Sequence, residues 1–579
     1  MTNKPQSLFL GPEQREAAWE RFGKDTFDVV VIGGGVVGAG IALDAATRGL
    51  EVALVEARDL ASGTSSRSSK MFHGGLRYLE MMEFGLVREA LKERELALST
   101  LAPHLVKPLR FLYPLTHMGW ERPYVSAGLV LYDRMGGAKS VPGQHHLTRS
   151  GALRLAPGLK RDALTGGVTY YDTVVDDARH TMTVARTAAK YGAAIRTSTQ
   201  VVGFLREADR VVGVKVRDSE DGRTTEVRGS VVINATGVWT DELQGLANQR
   251  GRFHVRASKG VHIVVPRDRI ASDTSIILRT EKSVLFVIAW SSDHWIIGTT
   301  DTDWNLDLAH PAATKSDIDY LLEHVNKVLV TPITHADISG VYAGLRPLLA
   351  GESDQTSKLS REHAVARIAP GLVAIAGGKY TTYRVMAYDA VDEAAQDIPR
   401  RVSPSVTEKV PLLGANGYYA LMNQTPHLAE KYGIHPYRVQ QLLNRYGSLI
   451  DEVIGLAEGK PELLEPITGS PGYLRVEAVY AVAAEGALHL DDILARRTRI
   501  SIEYAHRGVE SAEEVARLVA PVLGWSDADI AREVSVYTAR VKAEIESQTQ
   551  ADDASAEALR LEAPEARREV LDPVTSNPD

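Results

Sequence analysis

Four consecutive apolar residues, Val29–Ile32, lead into Gly33-Gly-Gly-Val-Val-Gly38. Small apolar residues continue from there to Arg48, and a second apolar quartet follows at Val52–Val55. This pattern predicts a buried strand, a tight turn, a helix over 39–48 and a second buried strand. Pro12–Phe22 reads as a short leading helix, and 86–101 carries apolar residues at helical spacing. Residues 104–140 mix proline, aromatic and basic residues and define no element. Between about 166 and 235 short strands dominate, with Val211–Arg217 and Thr224–Val232 flanking Asp221-Gly222 as a hairpin. Val231–Gly237 is an apolar strand that ends in a turn of small residues. A strand-rich block over 254–301 contains His262–Pro266 and Trp295–Gly298, and Gly371–Ala376 is a further buried strand before Gly377-Gly378. Beyond about Pro411 the period becomes helical, at 418–432, 437–446, 474–484 and 512–522. Ser511 with Glu514, and Ser526 with Asp529, read as capping boxes, the second opening a helix to Glu546. The last thirty residues are rich in Ala, Glu, Asp and Pro, lack aromatic residues and read as a mobile tail, at most with a transient helix.

The first of these units fits a phosphate-bearing dinucleotide. Gly33 permits the tight turn, Gly35 lets a pyrophosphate approach the backbone, and Gly38 lets helix and strand pack closely. The helix N-terminus offers free N–H groups to the phosphates, and Glu56, about twenty residues on, can bond a ribose hydroxyl pair. Interleaved α and β elements with a strand-rich insertion suit FAD better than NAD, because FAD must be held along its length by distant chain. Candidate return passes are Ala235 and Gly237 in the Asn234–Trp239 turn, and Gly377, Gly378 and Thr381 in Gly377–Arg384. Thr64, Ser65, Ser69 and Lys70, in and beside the Ser/Thr/Gly stretch 62–69, are further cofactor candidates. The expected fold is α/β: a Rossmann-like FAD-binding domain with an inserted β-sheet substrate domain, of the glutathione-reductase or D-amino-acid-oxidase kind, plus an all-helical C-terminal domain. The expected divisions are an arm at 1–26, the FAD and substrate domains at 27–400, the helical domain at 401–546 and the acidic tail at 547–579.

Length and composition leave room for this layout: 579 residues, 44% hydrophobic and 24% charged, suit two or three domains with real cores. A net charge of −8 gives no global attraction to nucleic acid. The absence of cysteine excludes disulfides, thiolate nucleophiles, Cys-ligated zinc and iron–sulfur clusters, and no metal site is expected. The polar N-terminus lacks a signal-peptide core, and no apolar run approaches the ~20 residues of a membrane span. The expected location is the cytoplasm or a membrane surface.

Five segments carry a family resemblance: Ser68-Ser-Lys-Met-Phe-His-Gly-Gly-Leu-Arg-Tyr-Leu79, Ser258–Pro266, Ile297-Gly-Thr-Thr-Asp301, Gly344-Leu-Arg-Pro-Leu348 and Gly377–Arg384. Together they resemble the FAD-dependent glycerol-3-phosphate dehydrogenases of the membrane-associated, aerobic type, from about Asp28 into the helical region. The resemblance implies oxidation of sn-glycerol 3-phosphate to dihydroxyacetone phosphate, with electrons passing through FAD to membrane quinone. It also implies a helical cap, often a homodimer, and peripheral binding to the bilayer on the inner face of the cell membrane.

A phosphate ester needs several charge-assisted donors, and Arg77, Arg346, Arg361 and Lys379 are the cations in or beside these motifs. Tyr78 and His73 can add hydrogen bonds to the glycerol hydroxyls. Loss of hydride from C2 also requires a base for the hydroxyl proton, and histidine suits neutral pH. His262 stands where the family's proposed base resides, and His73 is the alternative. Arg346 can also stabilise charge developing on the reacting oxygen.

Two other readings stand beside this one. An α-glycerophosphate oxidase would use oxygen, but such relatives carry an insertion that is not visible between Thr299 and Gly377. A non-catalytic flavin scaffold would need no phosphate-sized cationic site. For the membrane, Lys107, Arg110, Arg122 and Arg134 interleave with Phe111, Tyr113, Trp120, Tyr124 and the apolar run 127–132, as at a headgroup interface. Arg496-Arg-Thr-Arg499 reads as part of a cap, a dimer contact or a docking surface.

Overall fold

A computed structural model of the chain describes residues 9–136, 140–247, 254–280, 284–350 and 362–567. Two large sheets organise it. The first has eight strands, six of them in the order His363–Ala369, Leu372–Gly377, Thr224–Asn234, Thr26–Ile32, Val52–Val55, Ala194–Arg196. All but the His363–Ala369 edge run parallel, and Val29, Val30 and Val31 at the centre are fully buried, as a doubly covered sheet requires. The hairpin of Thr199–Glu207 and Arg210–Asp218 joins through Thr224–Asn234. The expected dinucleotide unit is present, with its helix at Val36–Thr47 and its second strand at Val52–Val55.

The second sheet has ten strands centred on Val255–Pro266, which pairs with Gly340–Leu349 on one edge and with His294–Gly298 and Thr302–Trp304 on the other. Val106–Leu115 enters this sheet against Gly166–Val175 in ten successive pairs. Ten residues of the segment that defines no element in sequence are therefore a strand of the sheet: Phe111 and Leu112 are fully buried and Tyr113 is buried, which removes Phe111 and Tyr113 from any lipid contact. Helix Asp177–Lys190 also departs from the strands expected between 166 and 235. Its threonines and charged residues conceal a helical stripe. It is buried almost throughout against helix Val36–Thr47 and the C-terminal region, and Asp176 caps it by accepting the Arg179 N–H at 3.1 Å.

The C-terminal region is largely helical but not all-helical, because Pro466–Ile467 and Ser470–Leu474 pair in it as a short antiparallel hairpin. Two further details differ. Ser511 and Glu514 form no capping box, because the helix starts at Val509. Ser511 instead donates to Thr468 O, and Glu514 accepts from Thr468 N–H and Arg475. The tail is not free as far as residue 567: Asp553–Glu562 is a helix packed on the body, with Ala556 fully buried. Residues 568–579 lie outside the described residues. The Arg496–Arg499 run faces inwards. Arg496 and Arg497 both bind Asp59, and Arg499 binds Asp176 and Asp177, so these arginines lock the helical domain onto the nucleotide-binding domain rather than offering a dimer or docking surface.

A second lock is His489, buried between Glu220 at the tip of a hairpin and Glu533 of the helical domain, 3.1 Å from each. Burial opposes its charge, but the hydrogen bonds to Glu220 and Glu533 win and raise its pKa to about 9. A raised folded-state pKa contributes stability fully present below the unfolded value of about 6.5 and lost as pH rises through 9, on the order of 3 kcal/mol. Half-buried Lys107 acts oppositely, since its pKa falls to about 7 through desolvation. The measurement is therefore a difference: the thermal midpoint of wild type minus His489→Gln is expected to be large at pH 6.5 and to shrink by pH 10. A constant difference would refute the lock.

Candidate active site

The two sheets enclose one large cavity of about 1190 Å³, lined at one end by Gly33, Gly35 and Glu56 and at the other by His73, His262, Arg346 and Lys379. Gly33 has φ +109°, and a Cβ there would lie 2.7 Å from Ala235 O. A Cβ at Gly38 would lie 1.9 Å from Gly33 O, so Gly38 sits beneath the turn as a packing residue and does not line the cavity. Ser65 Oγ accepts the Val36 N–H at 2.9 Å, which ties the loop to the start of the phosphate-facing helix. Glu56 accepts N–H groups of Gly34 at 2.6 Å and Arg58 at 2.8 Å, and burial pushes its carboxyl pKa up. Ala235, Gly237, Gly377, Gly378 and Thr381 line the cavity between its ends, as does Thr64, whose hydroxyl donates to Leu345 O at 2.6 Å. An elongated dinucleotide with a ring system reaching the second sheet fits this cradle.

Lys70 does not belong to it. Its backbone takes φ +55°, and its fully buried ammonium donates to Ser66 O at 3.0 Å and to Asp177 at 2.8 Å. A buried lysine is tolerated there because Asp177 neutralises it.

Strand alternation builds the reacting end. On Gly340–Leu349, Tyr342, Gly344 and Arg346 share one face, opposite His262, Gly260 and Ser258 of Val255–Pro266. Gly260 leaves the space into which Arg346 folds, since a Cβ there would lie 2.5 Å from its Nη2, while Gly344 makes room for Arg67, whose carbonyl oxygen would lie 2.5 Å from a Cβ there. Arg346 donates to Thr299 Oγ1 at 3.1 Å and Thr300 O at 3.2 Å, with Asp301 at 3.6 Å, so the Ile297–Asp301 motif anchors it.

His262 is paired across the sheet with Gly298 on one side and Tyr342 on the other, and its ring stacks on Tyr342 at 4.8 Å and 9°. Its Nε2 meets Ser69 Oγ at 2.9 Å, while Nδ1 has no hydrogen-bond partner among the described residues. Desolvation, then Arg346 and Lys70, hold its pKa well below 6.5, so the imidazole is neutral at pH 7. Lys379 Nζ lies 3.5 Å from the centre of the Tyr78 ring, a cation–π contact that aims one expected cation across the cavity beside another expected contact residue. His73 lines the cavity, and its backbone N–H donates to Thr381 Oγ1 at 3.2 Å. Arg361 and the side chain of Arg77 lie outside the described residues.

Ser69 is therefore the partner of His262 as well as a cavity residue. Arg67 and the segment Leu306–Ala309 line the cavity without having been anticipated, since neither carries a motif.

Glycine turn, ribose acid and a long cavity ending at a buried histidine and two cations define a flavin-dependent oxidoreductase. The chain belongs to the FAD-dependent oxidoreductase family. That family's description, "FAD dependent oxidoreductase", matches residues 28–384, and "C-terminal domain of alpha-glycerophosphate oxidase" matches 405–530. Glycerol-3-phosphate dehydrogenase 2 of Mycobacterium tuberculosis is 75% identical over 98% of this chain and 96% of its own length. The human mitochondrial glycerol-3-phosphate dehydrogenase is 35% identical over 86% of this chain and 71% of its own. The crystal structure of the glycerol-3-phosphate dehydrogenase from Bacillus halodurans complexed with FAD superposes with a TM-score of 0.77 at 29% identity, covering 92% of this chain and 98% of that one. The cofactor is FAD.

Proposed function

We propose that the protein oxidises sn-glycerol 3-phosphate to dihydroxyacetone phosphate, with membrane quinone as the final electron acceptor. The observation that carries this reading is the convergence of a neutral buried histidine with Arg346 and Lys379 at one end of the FAD cavity. FAD, when bound, supplies the acceptor for the C2 hydride. Arg346 and Lys379 bind the phosphate dianion, and Arg346 stabilises charge developing on the C2 oxygen. His262 takes the hydroxyl proton at Nε2, the nitrogen in contact with Ser69. Its low pKa keeps the imidazole neutral at pH 7, and the Nδ1–H tautomer is the one that carries the lone pair at Nε2.

Anaerobic addition of sn-glycerol 3-phosphate is expected to bleach the flavin band, and a quinone analogue to restore it faster than air does. Fast recovery in air would make the protein an oxidase, and an unresponsive band would overturn the substrate assignment.

Access to quinone would be met by a membrane-facing surface. Helix Glu121–Gly136 exposes Tyr124 and Leu131, next to Trp120 and Met118, while Val125, Leu129 and Tyr132 pack inwards. It packs on helices Leu76–Glu80 and Phe84–Leu96, whose junction exposes Met81, Met82 and Phe84. These apolar tips with exposed Arg134 suit the headgroup boundary of the cytoplasmic leaflet. Lys107 lies apart from it, against Tyr418. Trp120→Asp with Leu131→Asp is expected to lower partitioning into anionic vesicles about tenfold or more. Unchanged partitioning would remove this face from consideration.

A further inference from the structure

The cavity wall at Leu306–Ala309 belongs to a stretch, 305–314, that contains neither helix nor strand. Its inner face lines the cofactor cavity beside Trp239 and Glu242, on the side of Glu56 and Arg58 where the adenosine half of FAD is held. A loop in that position has no sheet partner to keep it closed. What braces it from outside is the C-terminal segment 550–567.

The bracing runs along the whole stretch. At its start the Glu557 carboxylate accepts the Asp307 N–H, and Asp307 in turn accepts the N–H groups of Ala309 at 3.1 Å and His310 at 2.7 Å. In the middle, Ala556 is fully buried in one apolar cluster with Leu306, Leu308, Val238, Trp304, Ala312 and Leu345. At its end, Glu565 binds His310 Nε2 at 2.5 Å and Arg540 at 3.1 Å, and lies 3.6 Å from Arg58, itself a cavity residue. Asp553 pairs with buried Lys259, which also holds Ala312 O at 3.3 Å and Asp317 at 2.6 Å. Both ends of the segment are pinned: Gln550 O accepts the Lys315 N–H at 2.8 Å, and Arg567 donates to Ser198 Oγ at 2.9 Å. A run of residues without a core of its own thus makes directed contacts to one loop at three successive points.

We propose that segment 550–567 is a strap that holds the 305–314 wall closed over the adenosine half of FAD, so that Asp553, Glu557 and Glu565 are positioning residues for cofactor retention. They touch no cofactor atom in this scheme and act through the backbone of Asp307, the ring of His310 and the ammonium of Lys259.

The test uses FAD as the probe on deflavinated full-length protein, on a chain ending at Gln548, and on the double variant Glu557→Gln/Glu565→Gln. Each is titrated by quenching of flavin fluorescence, and FAD release is timed after dilution. Losing a charge-assisted contact at each of several points is expected to raise the FAD Kd about tenfold or more in the shortened chain, and about threefold or more in the double variant, mostly through faster release. Apoprotein thermal midpoints separate retention from general stability. A strap for FAD narrows the gap between holo and apo midpoints, whereas a merely structural tail lowers both equally. If the shortened chain does not fold, the double variant decides. An FAD Kd within twofold of wild type in a folded variant, or equal losses in apo and holo midpoints, would overturn the proposal.

Discussion

Replacing Arg346 by alanine is expected to lower kcat/KM for sn-glycerol 3-phosphate by about three orders of magnitude, near 4 kcal/mol of lost transition-state stabilisation. The size follows from where the guanidinium lies. Two of its contacts go to Thr299 and Thr300, so it is held before substrate arrives and forfeits little side-chain entropy on binding. Its charge points into a cavity walled by two sheets, where a phosphate dianion left without it would be poorly compensated. Arg346→Lys should recover only part of the loss, because a single ammonium cannot keep the Thr300 carbonyl and also present a planar fork to substrate. Steady-state kinetics on variants with normal flavin content checks this, and a loss below tenfold would remove Arg346 from the reacting end.

His262→Gln is expected to cut kcat about a thousandfold, within the usual range for a general base. Gly298→Ala should approach the same value without touching a titratable group. A Cβ at residue 298 would sit 2.2 Å from His262 Cδ2, closer than atoms tolerate, so the ring must leave its place against Tyr342 and Ser69. The two losses act through one imidazole, and the double variant should be no worse than His262→Gln alone. In wild type, activity present at neutral pH should fall only well below pH 6.5, as the neutral base becomes protonated, and His262→Gln should lack that limb. His73→Gln, by contrast, is expected to raise KM less than about tenfold. A reversal of the two histidines' effects would move the base to His73.

The parts legible in the sequence were those in which backbone geometry dictates residue type. Gly33 and Gly38 are required by contacts at 2.7 and 1.9 Å, and such requirements leave a spacing that can be read directly. Strands Val52–Val55 and Leu372–Gly377 announce themselves because both of their faces are buried. Helix Asp177–Lys190 was hidden because its polar residues are buried and paired across domains, as Arg179 is with Glu485, so polarity there does not mark a solvent face. Lys70 looked like a cofactor ligand because it sits inside a motif, yet its ammonium is committed to Asp177, a partner more than a hundred residues away. The contact of Ser69 with His262 is equally invisible, because partners 193 residues apart leave no local trace. As far as residue 567 the tail differs from the reading its solvated composition gives, because the surface that orders it, from Lys259 to His310, comes from elsewhere in the sequence.

The strap is also the last described part of the chain to leave the ribosome. Both sheets are complete in sequence by Gly377, so the nucleotide-binding core can form while the brace on its wall has still to be made. Late stop codons in the reading frame should therefore give rise to alleles of a particular kind: a folded protein, a correct active site and a starved cofactor pocket. Cells carrying them are expected to grow poorly on glycerol and to recover when riboflavin is supplied in excess.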